Sequence, residues 1–574
     1  MGNNTAIKTL IDNKVASRIH ACDASLYDFD SSAKQCAENF MGWTDLASNP
    51  PVSAGSIKAF AKQVAADGLN NVVLLGQGGS TQAPMTITKY NKQDRSNVEF
   101  RIIDSVSPVR LREFFEDANP FETLVIVSSK SGGTIEPNSL LLAIKQAFSP
   151  ILKDELPDHL VAITDPGSSL EEMAQKEGWR KVFNGKPSVG GRYSALSVFG
   201  LVPAALTGID IDKFLEFAFL AENECKQDNE ENPAIGLAEF LFENYTQNRN
   251  KFSFLSPKRG RVLGLWIEQL IAESLGKNGC GITPNIEIDS LLLSEDSGDR
   301  SAIMYETETD SWDEKTSFEM SLKYIDKNIP IKKYSINNVY ELAKHFVMWE
   351  YATAMCGYLM KVCPFDQPDV ASTKAATLKV LETNDLDGGL VVAYPDQSGD
   401  EKITITTSDV LNEQDSLKET LRELFSSIKE GDYFSINAFL PFTGEGRREA
   451  LDQIRANVSN AFGVMGCLEI GPRFLHSTGQ LQKGGPNNGV FLVISANEPK
   501  DIEIEGDWKA KSLGTLAHAQ ATGDFKILNE RKRRAVHLHL PNNAGVSIRL
   551  LSHIVRDVID EMIAKGVGSL KNAN

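Results

Sequence analysis

Six short segments hold the residue types that could do chemistry. Gly-Gln-Gly-Gly-Ser-Thr-Gln-Ala-Pro (76–84) follows a strand-like run and precedes a helical stretch. Glycines such as Gly78 and Gly79 let backbone N–H groups approach an anion, and the helix start beside Ser80 favours negative charge. Ser-Ser-Lys-Ser-Gly-Gly-Thr-Ile-Glu-Pro (128–137) repeats the arrangement, with Ser129, Lys130, Ser131 and Thr134 around a Gly-Gly turn. Neither segment ends in the Gly-Lys-Ser/Thr of a nucleotide P-loop, and neither is a full dinucleotide fingerprint. Two such loops on neighbouring parallel strands suit a phosphate gripped from both sides. Val-Gly-Gly-Arg (189–192) sets Arg192 after Gly191, where a guanidinium can stabilise a developing oxyanion.

The stretch 266–281 carries Glu268 and Glu273 on an amphipathic helix. A spacing of five puts them on different faces. Glu273, beside a glycine-rich stop, can face a pocket and act as a base, whereas Glu268 reads as a solvated glutamate. Cys-Pro-Phe-Asp-Gln-Pro (363–368) puts Gln367 in a proline-flanked turn, with Lys374 one to two turns into the helix that follows. His476 precedes a polar Ser-Thr-Gly-Gln turn and suits an acid or base role. His537 and His539 alternate along a strand and share a face, but no carboxylate or cysteine pattern supports a metal there. The other histidines read as structural.

The elements that must position these groups alternate. Apolar runs at 71–76, 99–104, 123–129 and 159–165 are each followed by a helical pattern, which implies a parallel sheet wrapped by helices. Ligands on such sheets sit at the carboxyl ends of the strands. A polar, charge-rich stretch near 206–232 marks a boundary, after which the pattern restarts. From about 386 the chain reads as smaller strands and helices. The expectation is two α/β domains with extra material between about 386 and 470.

The chain has 574 residues, 41% hydrophobic and 24% charged, with a net charge of −18. That composition excludes wholesale disorder and argues against a polyanion-binding protein, although a local basic pocket can exist within it. The seven cysteines are scattered, without CxxC or zinc spacing, and read as reduced thiols. No apolar run is long enough to span a membrane. No signal peptide is read in the first residues, and Ala6 breaks the myristoylation pattern. A cytoplasmic protein is expected, with neither nucleic acid nor membrane as partner.

Taken together, the motifs resemble the phosphoglucose isomerase family over nearly the whole chain. The segments 18–29 and 471–486 resemble in particular the isomerase half of bifunctional transaldolase–phosphoglucose isomerase chains. The resemblance implies two sugar-isomerase (SIS) domains, each a mostly parallel sheet flanked by helices in three α/β/α layers. The domains would be 1–215, the first with a helical lead-in, then 216–385, the first part of the second. Residues 386–574 would be inserted material and the remainder of the second, carrying His-Ser-Thr-Gly-Gln.

Motif by motif, the resemblance implies phosphate contacts at Ser80, Ser129, Lys130, Ser131, Thr134 and Gln367. Gly78, Gly79 and Gly191 support them. Glu136 would hold the catalytic histidine. Arg192 would stabilise an enediolate and Glu273 would move the proton between C1 and C2. Lys374 and His476 would open the sugar ring. The order Glu273, Lys374, His476 departs from typical bacterial relatives and resembles the fused branch. Gln482 stands where that branch has histidine, so residue 482 is not expected to be essential.

The implied reaction is the reversible conversion of glucose 6-phosphate to fructose 6-phosphate without metal or cofactor, in a homodimer. Two other readings compete. One is a different SIS-domain sugar-phosphate isomerase. The other is a non-catalytic sugar-phosphate sensor, which would need only the phosphate loops and not Arg192, Glu273 and Lys374.

Overall fold

Aliphatic and β-branched runs form the central strands, and these parallel ones are buried on both faces, so each needs helices on either side. The computed structural model describes residues 5–91, 98–286, 292–308, 311–385, 388–394, 401–506 and 508–568. The myristoylation pattern at the first residues and the 385/386 boundary fall on or beside residues outside these. The first sheet holds β1 (Asn71–Gly76), β2 (Glu99–Ile103), β3 (Thr123–Ser128), β4 (Leu160–Thr164) and β5 (Lys181–Asn184). Its order is β2-β1-β3-β4-β5, all parallel. The strand order reverses between β1 and β3, which opens a crevice at their carboxyl ends. The two glycine-rich loops leave the sheet there.

The second sheet holds β6 (Lys251–Leu255), β7 (Thr283–Asn285), β8 (Arg300–Thr307) and β9 (Ile331–Ile336), ordered β7-β6-β8-β9 and parallel. One continuous apolar core, with Leu74, Phe214, Trp266, Tyr305 and Trp349, runs through both of these units.

Beyond 386, the described strands do not join the second sheet. They form a third: β10 (Leu390–Ala393), β11 (Lys402–Thr407), β12 (Tyr433–Phe439), β13 (Met465–Ile470), β14 (Gly489–Ala496) and β15 (Arg534–Leu540). The order is β10-β11-β15-β14-β12-β13, with β10 and β11 antiparallel and the rest parallel. The physical reason is that β12 and β14 are buried along nearly their whole length and find cover in their own segment. The helices Arg447–Phe462 and Gly545–Ala564 cover one face around a separate core with Phe425, Ile436, Leu492, Val536 and Val555, and Leu513–Glu530 covers the other with Phe525 against Phe491 and Val493.

Polar contacts tie this third unit to the others. Lys251 Nζ donates to the Gly431 carbonyl at 2.7 Å, and Trp508 Nε1 donates to Ser139 Oγ at 2.8 Å. Inside it, His537 and His539 both reach Ser495 Oγ at 2.8 Å, so they do share a face. Gln482 lies buried against Asn437 in the same unit. No described helix is long and apolar enough to cross a membrane.

Candidate active site

The glycine loop after β1 begins the site. Gly78 has φ 54°, a left-handed conformation that favours glycine, and it starts the helix Gly79–Tyr90. A methyl group on Gly79 would stand 2.0 Å from the Gly191 carbonyl oxygen, so this loop and the Gly-Gly-Arg turn touch backbone to backbone. A methyl on Gly78 would lie 3.0 Å from both Gln269 Nε2 and His476 Cβ. The absence of two side chains is therefore what lets four segments converge. Ser80 is buried in the first turn of the helix.

The loop after β3 leads into the helix Ile135–Leu152. Its N-cap Thr134 makes no side-chain cap bond, so the amide groups of the first turn stay open to an anion. Ser129 Oγ donates to Thr134 Oγ1 at 3.0 Å, while Ser131 is exposed. Lys130 is used differently from expectation. Its ammonium pairs with Asp165 and donates to the Pro187 carbonyl at 3.0 Å. The loop thus offers its hydroxyls and backbone, with the lysine charge committed elsewhere.

Arg192 is 3% exposed and held from every side. Nε donates to Ser274 Oγ at 2.7 Å, Nη1 to Gln367 Oε1 at 3.0 Å, and Nη2 to the carbonyls of Pro364 at 2.6 Å and Asp366 at 2.9 Å. Nη1 also stands 3.4 Å from Glu273 Oε1. Gln367, exposed at the cap of the helix Pro368–Thr383, therefore accepts from Arg192 and keeps its amide NH2 for a ligand. Glu273 lies near the end of the helix Arg261–Leu275 and is 7% exposed. Its Oε2 accepts from Gln269 Nε2 at 3.1 Å, and the same Gln269 amide reaches the His476 carbonyl at 3.0 Å. Glu268, on the other face of the helix, lines a separate cleft with Lys89 and Arg473.

His476 ends a short 3-10 turn, Arg473–His476. Its Nε2 lies 2.9 Å from Glu136 Oε1, which also accepts from Gln520 Nε2 at 2.8 Å. A carboxylate only accepts, so Nε2 carries a proton in this pair. Burial pushes the Glu136 carboxyl up. The charge of His476, its hydrogen bond and the Lys374 ammonium together hold it below the ordinary glutamate value. Lys374, Thr134, Glu136 and His476 line one small cavity of about 80 Å³.

The expected residues thus fall into two touching groups: Arg192, Glu273 and Gln367 on one side, and Glu136, His476, Lys374 and Thr134 on the other. Gly78 and Gln269 join them. Such an arrangement pairs a buried carboxylate and an oriented imidazole with a fixed guanidinium and an anion cradle. It can move protons on a small anionic substrate. Sequence reasoning missed Gln269, Ser274, Lys277 and Gln520. Gln269 had a signal, since it precedes Glu273 by one helical turn and shares its face. Gln520 had none, because only the third unit's packing brings it to Glu136.

The family model described as phosphoglucose isomerase matches residues 51–295. A protein of Methanococcus maripaludis described as a probable glucose-6-phosphate isomerase is 30% identical over 356 residues, covering 55% of this chain and 80% of that protein. The glucose-6-phosphate isomerase of Mycoplasmopsis pulmonis is 30% identical over 396 residues, covering 60% and 90%. Among solved structures, a hypothetical protein from Thermus thermophilus superposes with TM-score 0.57 at 25% identity, over 66% of this chain and 96% of that one. A glucose-6-phosphate isomerase from Chlamydia trachomatis shares the fold at TM-score 0.51 and 18% identity, over 58% and 73%.

Proposed function

The chain belongs to the phosphoglucose isomerase family, and from that premise we propose how its own residues interconvert glucose 6-phosphate and fructose 6-phosphate. The phosphate docks at the β1/β3 crevice on Ser80, Ser129, Ser131 and Thr134, against the open amides of the helix Ile135–Leu152. Its binding is remote from the reacting carbons and orients them. The sugar arrives as a ring. His476, oriented by Glu136, and Lys374 move the protons that open it. Glu273 takes the proton from C2 and returns it to C1 through a cis-enediolate. Arg192, fixed before the substrate arrives, offsets the enediolate charge where little water screens it.

The observation that carries this reading is the contact between a buried base and a buried, fully held arginine, Glu273 and Arg192, beside a phosphate-ready crevice. A sensor of sugar phosphates has no use for that pair. The test couples fructose 6-phosphate turnover to oxidation of the glucose 6-phosphate formed. In Glu273→Gln, kcat falls by about 10²–10⁴-fold, the usual range for a positioned base. Binding of a non-isomerisable sugar phosphate stays within about threefold. Equal loss of both would remove Glu273 from the role of base.

We also read the chain as a member of the branch fused to transaldolase in other proteins, which the order Glu273, Lys374, His476 supports. We read it as a cytoplasmic homodimer that takes a free sugar phosphate, with neither nucleic acid nor membrane as partner. Its net charge of −18 supports that choice of partner.

A further inference from the structure

The segment that holds Arg192 also carries one of a pair of thiols that the reaction does not use. Cys36 lies half-buried on the helix Ser31–Phe40, and Cys363 is buried just before the Pro364–Gln367 turn. They are 327 residues apart in sequence, yet Cys36, Cys363 and Asp366 bring one ligand atom each to within 4.8 Å of one another. A cation site is one reading of that cluster. The Lys277 ammonium argues against it, because it already sits 2.5 Å from Asp366 Oδ1 and donates to the Cys363 and Asp366 carbonyls at 2.5 and 2.6 Å. Lys277 thus already pairs with the cluster's one carboxylate.

What remains is thiol chemistry. A hydrogen bond from Cys36 holds the Cys363 sulfur below the ordinary thiol range against burial, and the Lys277 ammonium adds to the effect. Cys36 is pushed correspondingly up. One sulfur is thus favoured as thiolate, with a second thiol beside it to resolve whatever it forms, which is the arrangement of a redox-active pair. Cys36 reaches solvent in part, which gives a small oxidant a way in.

We propose that Cys36 and Cys363 form a reversible disulfide on reaction with hydrogen peroxide, and that the bond slows isomerisation. The Cys363 thiolate attacks the O–O bond and takes one oxygen as a sulfenic acid, and the other leaves as hydroxide and is protonated to water. The Cys36 thiol then attacks the sulfenic sulfur, expelling hydroxide that takes the Cys36 proton as a second water. Two thiols lose two electrons, and the peroxide is reduced to two waters. Closing the bond to about 2.05 Å pulls the start of the 363–367 turn toward Cys36. That turn presents the Pro364 and Asp366 carbonyls and Gln367 Oε1, three of the contacts that fix Arg192.

The test treats the full chain with hydrogen peroxide and follows two readouts. Peptide mapping under non-reducing conditions is expected to find a Cys36–Cys363 crosslink. The coupled assay is expected to lose at least fivefold in kcat, recovered with dithiothreitol. Cys36→Ser is expected to show no crosslink and no dithiothreitol-recoverable loss, and Cys22→Ser to behave as the parent chain. Absence of the crosslink overturns the pair. A crosslink with unchanged kcat overturns the link to catalysis. The effect on rate rests on the isomerase reading, but the crosslink is read by mass alone, so the two fail separately.

Discussion

Glu273 is one hydrogen bond from a neutral amide, and that amide also holds the backbone of the histidine turn. Replacing Gln269 by Glu keeps the shape but sets a second carboxylate about 3 Å from the base and loses the donor to His476. Like charges at this distance disfavour ionisation, and the base must be ionised to work. In Gln269→Glu kcat is therefore expected to fall about tenfold or more while sugar-phosphate binding changes little. Equal loss of kcat and of binding would reduce Gln269 to a packing residue. Glu136 has the opposite sign. Its pKa is held low, so its partnership with His476 is intact at neutral pH and fails as pH falls through the lowered value. Glu136→Gln removes a charge-assisted bond worth about 1.5–3 kcal/mol, so kcat on the cyclic sugar falls about 10- to 100-fold. An analogue that cannot close a ring, such as 5-deoxyfructose 6-phosphate, should show little of that loss. Equal losses on both would move His476 away from ring opening. Much of this site was legible in the sequence, because Ser80, Thr134, Arg192, Glu273, Gln367, Lys374 and His476 each sit in a segment with its own turn chemistry. Lys130 was legible only as a residue type. Nothing near it in sequence announces that Asp165, 35 residues on, takes its charge.

At the scale of elements, the site depends on two glycine turns that meet without side chains. A Cβ at Gly79 would stand 2.0 Å from Gly191 O and 2.2 Å from Gly191 C, so the two turns must separate. Overpacking of that kind costs about 1–3 kcal/mol, and here it also opens the crevice where phosphate is to sit. Gly79→Ala is expected to lower the denaturation midpoint and weaken phosphate binding together. Gly55→Ala has open space in a helix and should be neutral to stabilising. Phosphate affinity unchanged in a destabilised Gly79→Ala would separate the turn from the binding site. The strands that lead to these turns were legible because they are near-continuous apolar runs. NVVLLG coincides with β1, and the other long parallel strands of the first sheet lie within a residue or two of their expected places. Of the missed ones, β5 has four residues, β7 three, and β9 sets two lysines, a tyrosine and a serine between its terminal isoleucines, while β8 and β13 were missed although each has six residues or more. Sheet membership was not legible at all. An apolar run says that a strand will be covered on both faces, not which sheet covers it. For that reason the strands after 386 could be read as completing the second sheet when they form a third.

The third unit changes how the whole molecule makes its site. His476 and Gln520 belong to it, as does Lys374 through the packing of its helix on Leu513–Glu530; Arg192 and Glu136 belong to the first unit, Glu273 to the second, and all six lie in one chain. The unit is fastened where it must deliver His476. Gln480 accepts from the Asp369 backbone N–H at 2.9 Å, and its amide donates to the Asp369 carboxylate at 2.8 Å. Arg531 pairs with the same carboxylate at 2.7 Å. Asp369 lies in the first turn of the helix that carries Lys374, so one joint sets Lys374 and His476 relative to each other. These six residues thus meet within one chain. Specific activity is therefore expected to stay constant as the enzyme is diluted from micromolar to low nanomolar, with light scattering recording the assembly state over the accessible part of that range. An activity that falls with dilution along with the loss of a dimer, and returns on concentration, would mean that a second chain completes the site. A mixture of inactive Glu273→Gln and inactive His476→Ala chains extends the test. If each chain builds its own site, the mixture stays inactive. If histidine crosses between chains, hybrid dimers hold one intact site and activity reappears.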